Sequence, residues 1–165
     1  MSDDGINTKN WNVLATVEKW HRAEDRHVGL PPDEVVEAKD NLLLNGGIQL
    51  LLDLLIGAGG TVYNNSNAYI GVGDSSTSAA ATQDALQASS NKSYKGMESS
   101  FPSRSAQTLS FKSVWGSSDG NFAWNEWSIS NSNSDSGVNL NRKVASLGTK
   151  ASGSEWTLTV TITVS

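Results

Sequence analysis

The chain contains no cysteine, only three prolines and only two histidines among its 165 residues. The absence of cysteine excludes both a disulfide framework and a thiolate metal site. The longest apolar run, residues 48–56, is interrupted by Gln49 and Asp53 and is too short to span a bilayer. The acidic start lacks the basic region and apolar run of a secretory signal, so we expect a protein made in the cytoplasm.

Charge is also scarce, and it is unevenly distributed along the chain. Residues 1–40 carry nine acidic and five basic side chains, a net of -4, whereas residues 41–165 carry eight and seven, a net of -1. We therefore predict an N-terminal arm over residues 1–40 and a body over residues 41–165. The overall net charge of -5 argues against a nucleic-acid partner, because phosphate binding needs clustered Lys and Arg.

The predicted arm contains two apolar anchors, Trp11 and Trp20, in a polar segment. Residues 11–17 fit both the alternation of a strand and the face of a helix, so the pattern alone does not decide between them. The arm could fold back on its own body, but we favour docking on a neighbouring subunit. Buried aromatic side chains often dominate such interfaces, which makes Trp11 and Trp20 the expected contacts.

One or two short helices are predicted before the β region. Pro32-Asp33-Glu34 has the composition of a helix start, and Asn45-Gly46-Gly47 that of a helix end. A second helix is predicted over residues 48–56. Its apolar residues lie nearly all round, so we expect this helix to be buried at the opening of the body.

The chain after Gly60 has the pattern of a mainly β fold, with short strands separated by turn residues. The clearest strand is residues 156–164, where apolar side chains alternate with threonine. The alternation changes parity within residues 122–129, which indicates a bulge or a strand covered on both faces. This pattern predicts a small β-sandwich or barrel. Its core is expected to contain the tryptophans of the body, which are Trp115, Trp124, Trp127 and Trp156.

Two charged residues lie in apolar surroundings within this β region. Glu126 lies between two tryptophans, and Arg142 continues the alternating apolar row of Val138, Leu140 and Val144. A buried charge is costly unless it is paired. We therefore predict a structural ion pair between Glu126 and Arg142 that holds two strands together.

The sequence offers little that would predict a reaction, a cofactor or a metal. His21 and His27 flank Glu24 and Asp25, but without a third strong ligand or a zinc-site spacing. The sequence Gly73-Asp74-Ser75 has no nearby histidine base, and the loop from Asn131 to Asp135 lacks the glycine and glutamate of a calcium loop. We predict that the protein is not an enzyme and has no catalytic, cofactor or metal site. The six tryptophans could instead form a sugar-stacking platform, although core positions are the preferred interpretation.

Several segments between Asn45 and Ser165 resemble those of a family of small virion structural proteins of tailed bacteriophages. The segments are Asn67 to Ser76, Phe122 to Trp127, Leu140 to Arg142, Leu147 to Lys150 and Trp156 to Val164. The resemblance implies a head decoration or cement protein on the capsid surface. A tail, neck or fibre position is the alternative, and a carbohydrate-binding β module is a third class. The implied partners are the major capsid protein and copies of the chain itself, in a homo-oligomer such as a trimer, with neither nucleic acid nor membrane.

Overall fold

The computed structural model describes residues 10–165, so the first nine residues of the predicted arm lie outside the described range. The strands and helices of this range follow one another in the order β1 Trp11–Trp20, α1 Ala23–His27, β2 Glu34–Lys39, β3 Leu42–Leu43, α2 Asn45–Ile56, β4 Tyr69–Gly73, β5 Lys92–Gly96, β6 Ser103–Ser105, β7 Thr108–Trp115, β8 Ala123–Ser130, β9 Asn141–Thr149 and β10 Glu155–Val164.

The strands form two antiparallel sheets that pack as a sandwich and do not close into a barrel. The first sheet has the order β2-β1-β10-β7-β6, and the second has the order β3-β9-β8-β4-β5. Strand β10 lies at the centre of the first sheet, paired with β1 on one side and β7 on the other. The prediction of a mainly β sandwich is confirmed.

The core between the sheets is built from alternating residues of their strands. Leu158, Val160 and Ile162 of β10 are buried, as the alternation with threonine predicted. Trp124 contacts Trp115 and Trp156 edge to face, with ring centroids 4.8 and 4.9 Å apart. Such stacks combine a large buried apolar area with a favourable ring geometry. The four tryptophans expected in the core, Trp115, Trp124, Trp127 and Trp156, are all buried.

The arm expected over residues 1–40 is not separate from the body within the described residues. β1 pairs with β10 over its whole length, and β2 pairs with β1, so both strands belong to the first sheet. Val13, Ala15 and Val17 are buried in the core because they alternate along β1. The charge change near residue 40 therefore reflects the more polar edge of one sheet, not a domain boundary.

The two predicted arm anchors both have contacts within this chain. Trp20 is buried, and its indole Nε1 donates a hydrogen bond to the backbone carbonyl of Leu30 at 2.9 Å. Trp11 is half-buried and packs against the core. Within the described residues Trp20 is therefore covered by its own chain, whereas docking of the half-buried Trp11 on a neighbouring subunit stays a prediction.

The helices also differ from those predicted. Residues 34–39 form β2 rather than a helix, because pairing with β1 outweighs the local signal of Pro32-Asp33-Glu34. α1 and α2 both follow β1, and α2 begins at Asn45. α2 is not buried as expected, since only Gly47 and Leu50 are shielded from solvent. Neither helix in residues 10–165 is long and apolar enough to cross a membrane.

The parity change predicted within residues 122–129 corresponds to an irregularity in β-sheet pairing. The register of β8 against β9 shifts between Trp124 and Glu126. As a result, Trp124 and Trp127 both reach the core, although they lie three positions apart and would face opposite sides of a regular strand. Glu126 lies on the other side of the sheet, away from these tryptophans, and this is where the candidate site is found.

Candidate functional site

Glu126 on β8 and Arg142 on β9 form an ion pair that is completely shielded from solvent. Arg142 Nε donates a hydrogen bond to Glu126 Oε2 across 2.6 Å. Gly73 on β4 lies opposite Glu126 and leaves room for it, because an added Cβ would lie 2.5 Å from Glu126 Oε1. The structure thus brings together the two residues that the sequence singled out.

The ion pair lies beneath a long connection, residues 74–91, which we call the covering segment. This segment joins the neighbouring strands β4 and β5 and contains neither helix nor strand. Glu126 Oε1 accepts a hydrogen bond from the backbone N–H of Ala88 at 2.7 Å, and Oε2 accepts one from Gln87 at 3.0 Å. A buried carboxylate with several donors tolerates its low-dielectric surroundings. Glu126 therefore fixes the end of the segment nearest β5.

Arg142 fixes the opposite part of the covering segment. Its Nη2 donates to the carbonyl of Thr77 at 2.9 Å, and its Nη1 donates to Gln83 Oε1 at 3.0 Å. The guanidinium thus uses its fork geometry to contact the segment and Glu126 at once. Sequence reasoning predicted a pair that joins two strands. The structure adds a second role, because the pair also holds an irregular connection against the outer side of the sheet.

Lys150 forms a second buried charged cluster, which sequence reasoning missed. Its Nζ donates hydrogen bonds to the carbonyls of Gly116 and Ser154 and to Asn121 Oδ1, over 2.7, 2.9 and 2.9 Å. Burial lowers the pKa of Lys150 below the ordinary lysine value. The ammonium joins the connection between β7 and β8 to the one between β9 and β10. Its only signal was its place in a segment of the family resemblance.

Two further buried charges fasten the N-terminal strands to the sandwich. Glu155 Oε1 accepts a hydrogen bond from Arg26 Nη1 at 2.6 Å, which ties α1 to β10. Lys19 Nζ lies 3.1 Å from Glu34 Oε1 and 4.5 Å from the ring centroid of Trp156. These contacts explain why residues after Trp11 belong to the body despite their high charge.

The histidines considered as metal ligands form contacts within the chain. His21 Nδ1 lies 3.7 Å from Asp33 Oδ2, and His27 Nε2 lies 3.4 Å from Glu155 Oε2. In residues 10–165, no three His, Cys, Asp or Glu side chains are grouped as a metal site would need. The geometry therefore offers no support for a metal site at His21 and His27.

The loop considered as a calcium site also has local partners. Asp135 accepts a hydrogen bond from Tyr94 Oη at 2.7 Å and forms an ion pair with Lys92. Burial, with the added effect of Asp135, raises the pKa of Tyr94 above the ordinary tyrosine value. Ser75 Oγ accepts a hydrogen bond from the backbone of Thr77 at 3.1 Å, as expected for a turn.

The second missed feature is an apolar surface on α2. Its outward face, as we call it, consists of Ile48, Leu52, Leu55 and Ile56, with exposed fractions of 39, 56, 81 and 77%. Single exposed apolar residues are ordinary, but a contiguous group of large ones indicates an association surface. Sequence periodicity detected the apolar character of this helix and assigned all of it to the core.

Comparisons with protein-family models, with curated proteins and with solved structures find no match to this chain. The functional interpretation therefore depends on the buried charged clusters, the covering segment and the outward face of α2.

Proposed function

We propose that this protein is a structural component of a tailed-phage virion and that it decorates and cements the capsid. The observation that carries this proposal is that the buried charged residues of the chain all serve to hold its own strands and connections together. Lys19, Glu126, Arg142, Lys150 and Glu155 are the buried charged residues of residues 10–165. Each of them pairs with side chains or backbone of the same chain, and together they fasten the connections between strands. Such chemistry suits a rigid building block.

The family resemblance supports the proposal through the positions of its segments. They coincide with β4, β8, both ends of β9, and β10, and they contain Glu126, Arg142 and Lys150. These residues determine how the sandwich and its connections are held. The resemblance therefore concerns the scaffold, and it implies a virion role through that scaffold.

The proposed partners are the major capsid protein and further copies of this chain, on the outside of the capsid. A cement protein acts by mass action, because it binds the assembled shell better than free shell subunits. Many copies on one lattice add small contributions from each contact. The net charge of -5 fits an outer surface better than an inner surface that faces packaged DNA.

A tail, neck or fibre position is the second candidate, because the same rigid scaffold would serve there. The sugar-binding class has less support from the geometry. Five of the six tryptophans are buried and Trp11 is half-buried, so none offers a broad ring face to a sugar.

Binding to purified phage heads tests the proposal and separates its two candidates. Heads from a phage that encodes this chain, but grown without it, are mixed with increasing amounts of purified protein and sedimented. We expect saturable binding at hundreds of copies per head, in fixed proportion to the major capsid protein. Saturation at about a dozen copies or fewer would favour a neck or tail position. The same titration is run with purified tails, and absence of binding to both heads and tails would contradict a virion role.

A further inference from the structure

The side chain of Lys150 is shielded from solvent and surrounded by acceptors of its own chain. Lys150 is 1% exposed, and its Nζ lies 2.7 Å from the carbonyl oxygen of Gly116 and 2.9 Å from that of Ser154. Asn121 Oδ1 also lies 2.9 Å from this nitrogen. A reagent in solution cannot reach a nitrogen in such a position. Any electrophile with which it reacts must therefore come from the chain itself, and the carboxamide of Asn121 is the side chain in contact with it.

The surroundings of Lys150 favour the neutral amine more than a surface position would. Burial lowers the pKa of Lys150, and the positive charge of Lys95 lowers it further, against the opposing effects of Asp119 and Glu155. Lysines that are desolvated or that lie near a second cationic group are those that act as nucleophiles in proteins. Lys150 meets both conditions.

The hydrogen bonds of Lys150 also direct the lone pair of the neutral amine. A neutral amine has two N–H groups, and the carbonyl groups of Gly116 and Ser154 accept both of them. The lone pair then occupies the remaining direction, toward Asn121. Because a C=O bond is about 1.2 Å long, Cγ of Asn121 lies at most about 4 Å from Nζ. Atoms that react are about 3–3.5 Å apart in a near-attack geometry, so a small movement brings this nitrogen and this carbon together.

The carboxamide of Asn121 is held on its other side as well. Its Nδ2 donates a hydrogen bond to the carbonyl of Ser117 at 3.1 Å. Backbone hydrogen bonds join the two connections that carry the reacting groups, from Lys150 to Phe122 at 3.0 Å and from Gly153 to Ser117 at 3.1 Å. Asn121 is exposed, so a leaving group from its side chain passes directly into solvent. The fold thus holds the amine and the amide in lasting contact, which raises their effective concentration.

We propose that Lys150 and Asn121 become joined by an isopeptide bond that the folded chain forms by itself. One proton of the ammonium passes to water, and the lone pair of the neutral Nζ attacks Cγ of Asn121 to form the Cγ–Nζ bond. A second proton moves from Nζ to Nδ2, the Cγ–Nδ2 bond breaks, and ammonia leaves. An amine and a carboxamide thus give a secondary amide and one ammonia, with no oxidant or other reagent.

This bond joins the connection between β7 and β8 covalently to the connection between β9 and β10. Such a link restricts the unfolded chain as a disulfide does, and the sequence has no cysteine with which to form a disulfide. The inference goes beyond the proposed function and does not rest on it. Its test needs only the purified full-length chain, so its failure is distinguishable from failure of the head-binding test.

The first experiment measures the mass of the intact, denatured protein by mass spectrometry. We expect the wild type to be lighter than its sequence by one ammonia, about 17 Da. Lys150→Arg keeps the positive charge and the donors but cannot form the bond, so it should have its full sequence mass. The matched control is Lys19→Arg, because Lys19 is also buried but pairs with Glu34, and this variant should keep the loss. A wild type with its full sequence mass would overturn the inference.

The second experiment locates the bond by digestion with trypsin, which cleaves after unmodified lysine and arginine. In the linked protein, residues 113–142, which contain Asn121, remain attached to residues 144–165, because the linked Lys150 is not cleaved. An unlinked chain is cleaved after Lys150 and releases these segments separately.

A succinimide at an asparagine also loses one ammonia, but it joins no peptides and does not need Lys150. We expect the attached peptides in the wild type and their absence from both Lys150→Arg and Asn121→Ala. Loss of ammonia without attached peptides would overturn the inference, and so would attached peptides that persist in either variant.

Discussion

The ion pair and α2 reverse the usual placement of polar and apolar side chains. Glu126 and Arg142 are charged and are completely buried, whereas Leu55 and Ile56 are apolar and are largely exposed. The side chains of the buried pair form hydrogen bonds with each other and with the backbone of the covering segment. The outward face of α2 is not covered by other side chains in the described part of the chain.

This difference teaches that the two regions contribute to different equilibria. Burial of the charges is compensated by specific hydrogen bonds, so the pair fixes one arrangement of the covering segment. Exposure of the apolar face is not compensated within residues 10–165, so the free energy of burying it is available for association. The following predictions run from the largest expected effect to the smallest. They test whether the buried ion pair stabilises the fold while the exposed face of α2 does not.

Arg142→Met should lower the free energy of unfolding by about 3–5 kcal/mol, because it leaves the Glu126 carboxylate buried without its guanidinium. Urea unfolding followed by tryptophan fluorescence measures this loss. The control is Arg104→Met on the exposed strand β6, with an expected change of about 0.5 kcal/mol or less. A loss below about 1 kcal/mol in Arg142→Met would mean that the pair does not fix the segment.

The two sides of α2 should respond differently to the same substitution. Leu50→Ala removes a buried side chain and should cost about 2–4 kcal/mol, whereas Leu52→Ala should change stability by about 0.5 kcal/mol or less. Both are measured by urea unfolding. Equal losses at the two positions would show that the outward face is covered within the monomer.

Gly73→Ala should disturb the ion pair from the side of β4. The added Cβ would lie 2.5 Å from Glu126 Oε1 and 3.0 Å from the Cβ of Ala88, so the carboxylate must move. We expect a loss of about 1–3 kcal/mol in unfolding free energy, measured by thermal and urea unfolding. Gly96→Ala on the neighbouring strand is the matched control, because its nearest contact would be an ordinary 3.6 Å. If both variants unfold alike, the crowding at Glu126 has no consequence.

The smallest effect is expected at the partly exposed pair of Asp119 and Lys95. A hydrogen bond from Lys95 holds the pKa of Asp119 below its ordinary value. Because the folded-state pKa is the lower one, this contribution is present above about pH 4 and is lost as the pH falls through the folded pKa. Asp119→Asn should flatten the acid dependence of stability by under about 1 kcal/mol. Lys95→Met should do the same, and the double variant should add nothing further.

The sequence predicted the parts of the fold that depend on local alternation. The alternation of residues 156–164 identified β10, and a charge in each apolar row predicted the contact between Glu126 and Arg142. The sequence did not predict β2, because the helix-start signal of Pro32-Asp33-Glu34 is local, whereas the pairing of β2 with β1 is a tertiary contact. Lys150 was missed for the same reason, since two of its three acceptors, on Gly116 and Asn121, belong to a connection distant in sequence.

The placement of α2 could not be predicted from periodicity. An apolar helix looks the same in sequence whether its faces are covered by its own chain or by another. Leu50 and Leu55 are chemically identical, yet one is 7% exposed and the other 81%. Only the position of the helix at the surface of the sandwich distinguishes them.

The central claim is that this rigid chain stabilises an assembled particle, and heat resistance of phage heads tests it most directly. Heads lacking the protein are heated alone or with wild-type protein, and DNA release is followed with a dye. We predict that wild-type protein raises the temperature of release. Equal release temperatures with and without wild-type protein, under conditions where it is bound to the heads, would contradict the claim.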